Sequence, residues 1–379
     1  MREIYVFDDR DNYTARWLRS LVWAEEELRD LGFSVKFHSG KTLIPRRIYQ
    51  HEFVLDDLSA AVDKLKKLDI VFLAFHWTRK FFETSDEDII KVLQKLRKKC
   101  NLLVWLDTGD STGTTRFQYI PFVDLYLKKQ VLKDRRRYLT EIWGGKIQCE
   151  YYHEMLGIDD PEVHKGEPFL ALQSEEDLEK LRISWNVGCS NWSTGNMYMQ
   201  LFHPYNFAHY DFMDPKSGKE IDAHFRGSAH SPIAGYQRKR TIELLEGVKG
   251  LNIPNPRKRV PNEEYNRELR STKLVCSPFG WGEICTRDFE AFVYGAALVK
   301  PSMEHMDTFP QWFIPNETYI PVKWDFSDFT EIIESVKEPA IQKHYLDIAI
   351  HGQEMFRNFM TTREGRQEFA KHLADMLVP

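Results

Sequence analysis

Short, unbroken apolar runs separated by stretches of helical period constrain this chain more than any other feature. Ile70-Val71-Phe72-Leu73-Ala74-Phe75 and Leu102-Leu103-Val104-Trp105-Leu106 contain no polar position. Strands of that kind must be covered on both faces. Ile4-Tyr5-Val6-Phe7 and Leu125-Tyr126-Leu127 are shorter runs of the same type, and 33–37 alternates as a strand. Between them the pattern predicts helices over 15–31, closed by Gly32 as a C′ glycine, over 58–68 and over 86–99. Buried strands alternating with helices form a parallel sheet flanked on both sides.

The alternation recurs in the second half. Ile221-Asp222-Ala223-His224-Phe225 reads as a strand that breaks at Arg226-Gly227-Ser228, with helices over 235–246 and 262–270 after it. The strand Lys273-Leu274-Val275-Cys276 leads into the turn Pro278-Phe279-Gly280-Trp281-Gly282. A helix over 283–294, closed by Gly295, and the strand Ala297-Leu298-Val299-Lys300 complete a second βαβ lobe. At 379 residues the chain exceeds what one core normally supports, so two domains are expected. The stretch 144–215 is irregular. Trp185-Asn186-Val187-Gly188-Cys189 within it is either a hinge between lobes or a loop of an extended first domain. These patterns divide the chain into 1–190, 191–345 and a terminal helical piece, 346–379, placed to return to the first lobe.

Composition excludes several classes. A net charge of −5 gives no basic footprint for stable nucleic-acid binding. The basic run from Lys128-Lys129 through Lys133 to Arg135-Arg136-Arg137 reads as a solvated face, with an anion-binding edge as the alternative. Cys100, Cys149, Cys189, Cys276 and Cys285 are scattered and odd in number, which fits reduced thiols and a cytoplasmic location. The chain enters its first strand directly, without a leader pattern, and no apolar run approaches the roughly 20 residues of a membrane span. Any membrane contact is therefore expected to be peripheral. Aromatic residues make up 13%, enough to fill cores and also to stack on sugar rings.

The chemistry concentrates at Ser277 to Glu290. Strand, glycine turn and helix N-terminus together aim free N–H groups at an anion, and Gly280 and Gly282 let a diphosphate approach the backbone. With a helix from Glu283, Thr286, Arg287 and Glu290 project together, a guanidinium for phosphate and a carboxylate for ribose hydroxyls. An ordinary capped helix with surface ion pairs fits the same spacing. The turn is neither a dinucleotide fingerprint nor a Walker loop. Asp9-Arg10-Asp11 is an acidic triplet in the first loop, far from this turn, and no metal site is expected.

Ser271-Thr272-Lys273-Leu274-Val275-Cys276-Ser277-Pro278, Gly280 and Gly282, Arg287-Asp288-Phe289-Glu290-Ala291 and Tyr294-Gly295-Ala296-Ala297-Leu298-Val299 resemble the C-terminal domain of exostosin-like and related glycosyltransferases of the GT-B fold. The resemblance runs over about 221–336. It implies an α/β protein with two Rossmann-like domains facing across a cleft, the acceptor in the first and a nucleotide-sugar, UDP- or GDP-linked, in the second. Gly280 and Gly282 would flank the diphosphate, Arg287 would neutralise it and Glu290 would hold the ribose. Arg226, Gly227 and Arg240 become donor contacts, and Glu304, His305 and Asp307 lie in a loop near the transferred sugar. No cofactor is required, because the helix N-terminus and Arg287 replace a cation. The resemblance also implies inversion, with a glycan such as a surface polysaccharide as acceptor.

Inversion needs a base in the first lobe, and open α/β sheets place sites at C-terminal strand ends. Asp107, His76 and Asp110 stand there, with Asp107 slightly favoured over His76. A transferase acting on nucleic acid or protein, and a non-catalytic two-lobe protein closing on a small anion, are the rival readings.

Overall fold

The computed structural model describes residues 1–9, 12–38, 59, 62–75, 85–160, 171–190, 210–229 and 232–377. The first half contains β1 (Arg2–Asp8), α1 (Asn12–Trp23), α2 (Glu25–Asp30), β2 (Phe33–Phe37), β3 (Leu68–Phe75), α3 (Asp86–Arg97), β4 (Cys100–Asp107), β5 (Leu125–Lys128), β6 (Gln130–Leu132), α4 (Ile147–Leu156), α5 (Glu175–Lys180) and β7 (Leu181–Ile183). Six of these strands form a parallel sheet in the order β2-β1-β3-β4-β5-β7. The second half contains β8 (Ile221–His224), α6 (Tyr236–Gly247), α7 (Asn262–Arg270), β9 (Thr272–Cys276), α8 (Thr286–Val293), β10 (Ala297–Pro301), β11 (Met306–Thr308), β12 (Ile320–Val322), α9 (Phe329–Glu334), α10 (Pro339–Thr361) and α11 (Arg363–Leu377). Its parallel sheet has the order β12-β10-β9-β8.

The period-2 side-chain alternation divides each sheet between two cores. Tyr5, Phe7, Val71 and Leu103 pack in a core private to the first lobe, and Leu274, Cys276, Ala297 and Val299 in one private to the second. The opposite faces, through Ile4, Val6, Phe72, Val104, Val275 and Leu298, join a single apolar cluster shared by both lobes. Trp17 and Trp185 are fully buried in it. Their rings are 4.9 Å apart, and each indole N–H donates to the other's backbone carbonyl. Asn186 ties this point to the second lobe by donating from its backbone to Phe309 and from Nδ2 to Pro310.

Two further contacts join the lobes. Strands β6 and β11, one from each half, pair antiparallel with Val131 opposite Asp307. Helix α11 lies on the first lobe, where Arg366 meets the buried Glu27 at 2.9 Å and His372 meets the Ser184 carbonyl at 2.8 Å.

The first lobe departs from the sequence pattern in three places. The helix expected over 15–31 is two helices, because the fully buried Ala24 takes φ −105° and ψ 21°. Alanine carries no local signal for that break, so its packed position overrides propensity. Of the helix expected over 58–68, Ser59 and 62–64 are described as helical, and β3 already begins at Leu68. The basic run is only in part a solvated face, with Lys133 and Arg136 exposed. Lys128 and Lys129 are buried, and Arg135, Arg136 and Arg137 pair with Asp307, Glu175 and Glu150. Among the described residues no helix is long and apolar enough to cross a membrane.

Candidate functional site

In the second lobe β9 ends at Cys276, and the chain turns through 278–285 before α8 begins at Thr286. The helix starts three residues later than the sequence pattern suggests, and its cap explains why. Asp288 at N3 accepts the Cys285 backbone N–H at 3.0 Å, closing a capping box with Cys285 as N-cap. Asp288 is itself fixed by the Ser277 hydroxyl and by Lys300, whose Nζ lies 3.0 Å from Oδ2. Both charges are fully buried.

Glu283 is consequently outside the helix and not one turn from Arg287, which corrects that expectation. Its buried carboxylate crosses to the first lobe, accepting from Thr112 through the backbone N–H at 3.0 Å and the hydroxyl at 2.6 Å. Burial pushes its pKa up, but His305 and Thr112 outweigh this and hold it below the usual range. His305 Nε2 stands 3.8 Å away, and neither of its ring nitrogens has a hydrogen-bond partner.

The two glycines work differently from one another. A Cβ at Gly282 would lie 1.6 Å from the Asp110 carbonyl oxygen, so this residue permits backbone contact between lobes. The space that a diphosphate was expected to use beside Gly282 is therefore taken by the first lobe. A Cβ at Gly280 would lie 2.1 Å from Nη2 of Arg238.

Arg238 was missed by the sequence reading. It sits on α6 below the turn, directed at the carbonyls of Phe279 and Ser228, both at 3.3 Å. Arg287 is its neighbour. Arg287 lies 4.8 Å from the Phe225 ring and donates Nη2 to the Arg226 carbonyl at 2.5 Å. Its Nε and Nη1 are buried without a hydrogen-bond partner of acceptable geometry, although the Tyr265 hydroxyl is close. Among the described residues no carboxylate lies within ion-pair distance of either guanidinium. Burial, then the Arg287 charge, pushes the Arg238 pKa down. Glu290, one turn along α8, accepts from the Tyr265 hydroxyl at 2.8 Å, and burial raises its pKa. Thr286 is half-buried on the first turn of the same helix.

Arg226 and Arg240 do not join this group. Arg226 is held by Glu268 through two bonds of 2.6 Å and donates to the Asn255 carbonyl, so its guanidinium is committed. Gly227 packs under the Phe225 ring, 2.7 Å from where a Cβ would stand. Arg240 is on the outer face of α6, 3.6 Å from Glu243. Ser277 is buried against Asp288 and does not face the cleft. Glu304 is exposed beside Ser302, and Asp307 pairs with Arg135 at 3.1 Å.

The first lobe contributes the loop after β4. Asp107 is not available as a base: it is buried and accepts from Gly109 at 2.7 Å, Tyr126 at 2.8 Å and Lys128 at 3.1 Å. Asp110 is different. Its carboxylate is 40% exposed and accepts from Tyr13 at 2.6 Å and Lys129 at 3.0 Å, and its own carbonyl touches Gly282. The first lobe therefore presents a carboxylate next to the glycine turn. His76 and Asp11 lie outside the described residues. Among the described residues no group of three or more His, Cys, Asp or Glu side chains forms a metal site.

No protein-family model matches the sequence. No curated protein matches it either. Among solved structures, an alpha-glucosyltransferase in complex with UDP-glucose and DNA containing an abasic site matches with a TM-score of 0.50 and 10% identity, over 100% of this chain and 99% of its own. An α1,3-fucosyltransferase matches with a TM-score of 0.41 and 14% identity, over 99% and 90%. With its two parallel-sheet domains, the chain has the GT-B fold. At these identities the likeness defines the fold and assigns no activity.

Proposed function

We propose that the protein is a nucleotide-sugar-dependent glycosyltransferase, with the donor in the second lobe and the acceptor in the first. One observation carries this reading: Arg238 and Arg287 are neighbours below a glycine turn and beside a helix N-terminus, and among the described residues no carboxylate lies within ion-pair distance of either. Burial and the neighbouring Arg287 charge both disfavour the Arg238 cation, and a diphosphate relieves that cost while accepting from the two guanidiniums. Glu290 is placed to accept from ribose hydroxyls, with Tyr265 orienting it. UDP is the preferred nucleotide and GDP the second choice.

Asp110 serves as the base. It removes the proton from an acceptor hydroxyl as that oxygen bonds to the anomeric carbon and the bond to the diphosphate breaks, inverting the centre. The charge that develops on the departing diphosphate falls on Arg238, Arg287 and the start of α8, which needs no metal. A glycan is the favoured acceptor. The GT-B protein matched above is described with DNA, so duplex DNA is the second acceptor to be tested. All five thiols are free, which supports a reducing compartment such as the cytoplasm.

The test combines UDP- and GDP-induced thermal stabilisation with sugar transfer to a glycan pool and to duplex DNA. Asp110→Asn should lower transfer by about 10²- to 10⁴-fold and leave the nucleotide-induced shift intact. Unchanged transfer would remove Asp110 from the mechanism. No shift with any nucleoside diphosphate would overturn the donor site itself.

A further inference from the structure

The second lobe carries another basic concavity, at the opposite end of its sheet from the glycine turn. Its wall includes Lys273 and Leu274 at the start of β9 and Gly295 just before β10, whereas the turn follows the end of β9. A five-residue strand puts roughly 15 Å between the two places. The cavity holds about 510 Å³, within the range of small-molecule sites.

Its lining includes four lysines, Lys216, Lys219, Lys273 and Lys343, and no aspartate or glutamate. Lys273 is paired with Asp222 at 2.7 Å. Lys219 gives two of its three N–H groups to carbonyls, Arg270 at 2.9 Å and Tyr294 at 2.6 Å. Burial pushes its pKa down to about 8, against the pull of Asp214. Lys216 and Lys343 are exposed, and among the described residues no carboxylate pairs with either. The Ser217 hydroxyl oxygen is buried without a partner. The first turn of α10, a 23-residue helix, enters the cavity through Pro339 and Gln342, and no side chain caps it. Beside the Lys273–Asp222 pair, three further lysines, the positive end of a long helix and a hydroxyl meet in a cavity whose lining holds no carboxylate.

We propose that this cavity is a second anion site, built for a small compound carrying two or more phosphate-type charges and separate from the donor nucleotide. Lys216, Lys219 and Lys343 neutralise the ligand, and the α10 N-terminus and Ser217 supply hydrogen bonds. The ligand would fasten the segment before β8 to α10. None of these residues lies in the cleft, so this site stands apart from the proposed transferase chemistry.

Inorganic pyrophosphate, without divalent cations, is the probe, and calorimetry on the full chain counts its sites. The wild-type protein should bind two, or one if the donor site does not take pyrophosphate. Arg287→Ala should retain the distal site in either case. The double variant Lys216→Ala/Lys343→Ala, which changes only exposed side chains, should weaken that site at least tenfold while UDP-induced stabilisation persists. Pyrophosphate binding in the double variant indistinguishable from wild type would overturn the proposal, as would loss of all binding in Arg287→Ala.

Discussion

The two lobes handle charge at their strand ends in opposite ways. At the end of the first lobe's sheet, Asp107 meets Lys128 on the neighbouring strand and Asp110 meets Lys129, so each cation has its anion. At the strand end leading into the glycine turn the second lobe builds one such pair, Asp288 with Lys300, and beside it stand Arg238 and Arg287, which among the described residues have no carboxylate within ion-pair distance. The number of charges matters less than the balance. A lobe whose buried charges cancel is finished as a scaffold, whereas surplus, half-buried positive charge favours an anionic ligand. This contrast supports the proposal that the anion binds in the second lobe and that Asp110, the partly exposed member of the first lobe's pairs, faces the acceptor.

The largest expected effect tests whether the two buried pairs are equivalent. Removing one member leaves a buried charge without compensation, which typically costs about 3–5 kcal/mol. Asp288→Ala and Asp107→Ala should each lower urea unfolding stability by that amount. A loss below about 1 kcal/mol at either position would mean that the pair is not the scaffold described here.

Next in size is the effect of the surplus charge. UDP at about 100 times its dissociation constant should stabilise the wild-type protein by about 2.7 kcal/mol. Arg287→Ala should abolish that gain, and because Arg287 also donates to the Arg226 carbonyl and lies over the Phe225 ring, it should lower ligand-free stability by about 1 kcal/mol. If the variant is destabilised without ligand and still responds to UDP, Arg287 is structural and the contrast between lobes fails.

The interlobe clasp is worth less. Thr112→Val keeps the shape and the backbone donor to Glu283 but removes the hydroxyl donor, a bond to a charged group worth about 1.5 kcal/mol. Urea unfolding should show a loss of that size. An unchanged midpoint would mean that water replaces the hydroxyl and that the lobes are not held together there.

How much of this was legible depended on whether a signal was local. The helix over 262–270 matches the structure residue for residue, and Gly32 and Gly295 end their helices at φ +87° and +63°. Apolar runs at 70–75 and 102–106 located β3 and β4 because burial on both faces leaves no polar position. What the sequence concealed was decided across the chain. Glu283 leaves its helix because Asp288 caps Cys285, a capping box with cysteine in the place of the usual serine, and because Thr112 of the other lobe receives the carboxylate. Strand β6 has three residues and a partner 176 positions away, Val131 to Asp307, so no period identifies it. Lys128 and Lys129 looked solvated because only the fold supplies Asp107 and Asp110 beside them.

The smallest expected effect concerns the phase of one helix. Positions 238 and 240 are two residues apart, about 200° around the axis, so one side faces the glycine turn and the other faces solvent. The sequence Gln237-Arg238-Lys239-Arg240 does not say which. The phase is set by Gln237, whose amide donates to Tyr152 and accepts from the Phe279 N–H at 2.7 Å, both tertiary partners. Arg240→Ala removes an exposed i,i+3 pair and should change stability by no more than about 0.5 kcal/mol, with the UDP response intact. Arg238→Ala should be equally harmless to the ligand-free fold, yet weaken UDP binding by about tenfold or more, the value of one charge-assisted hydrogen bond. Reversed effects at the two positions would show that α6 presents its other face to the turn, and the surplus charge of the second lobe would have to be reassigned.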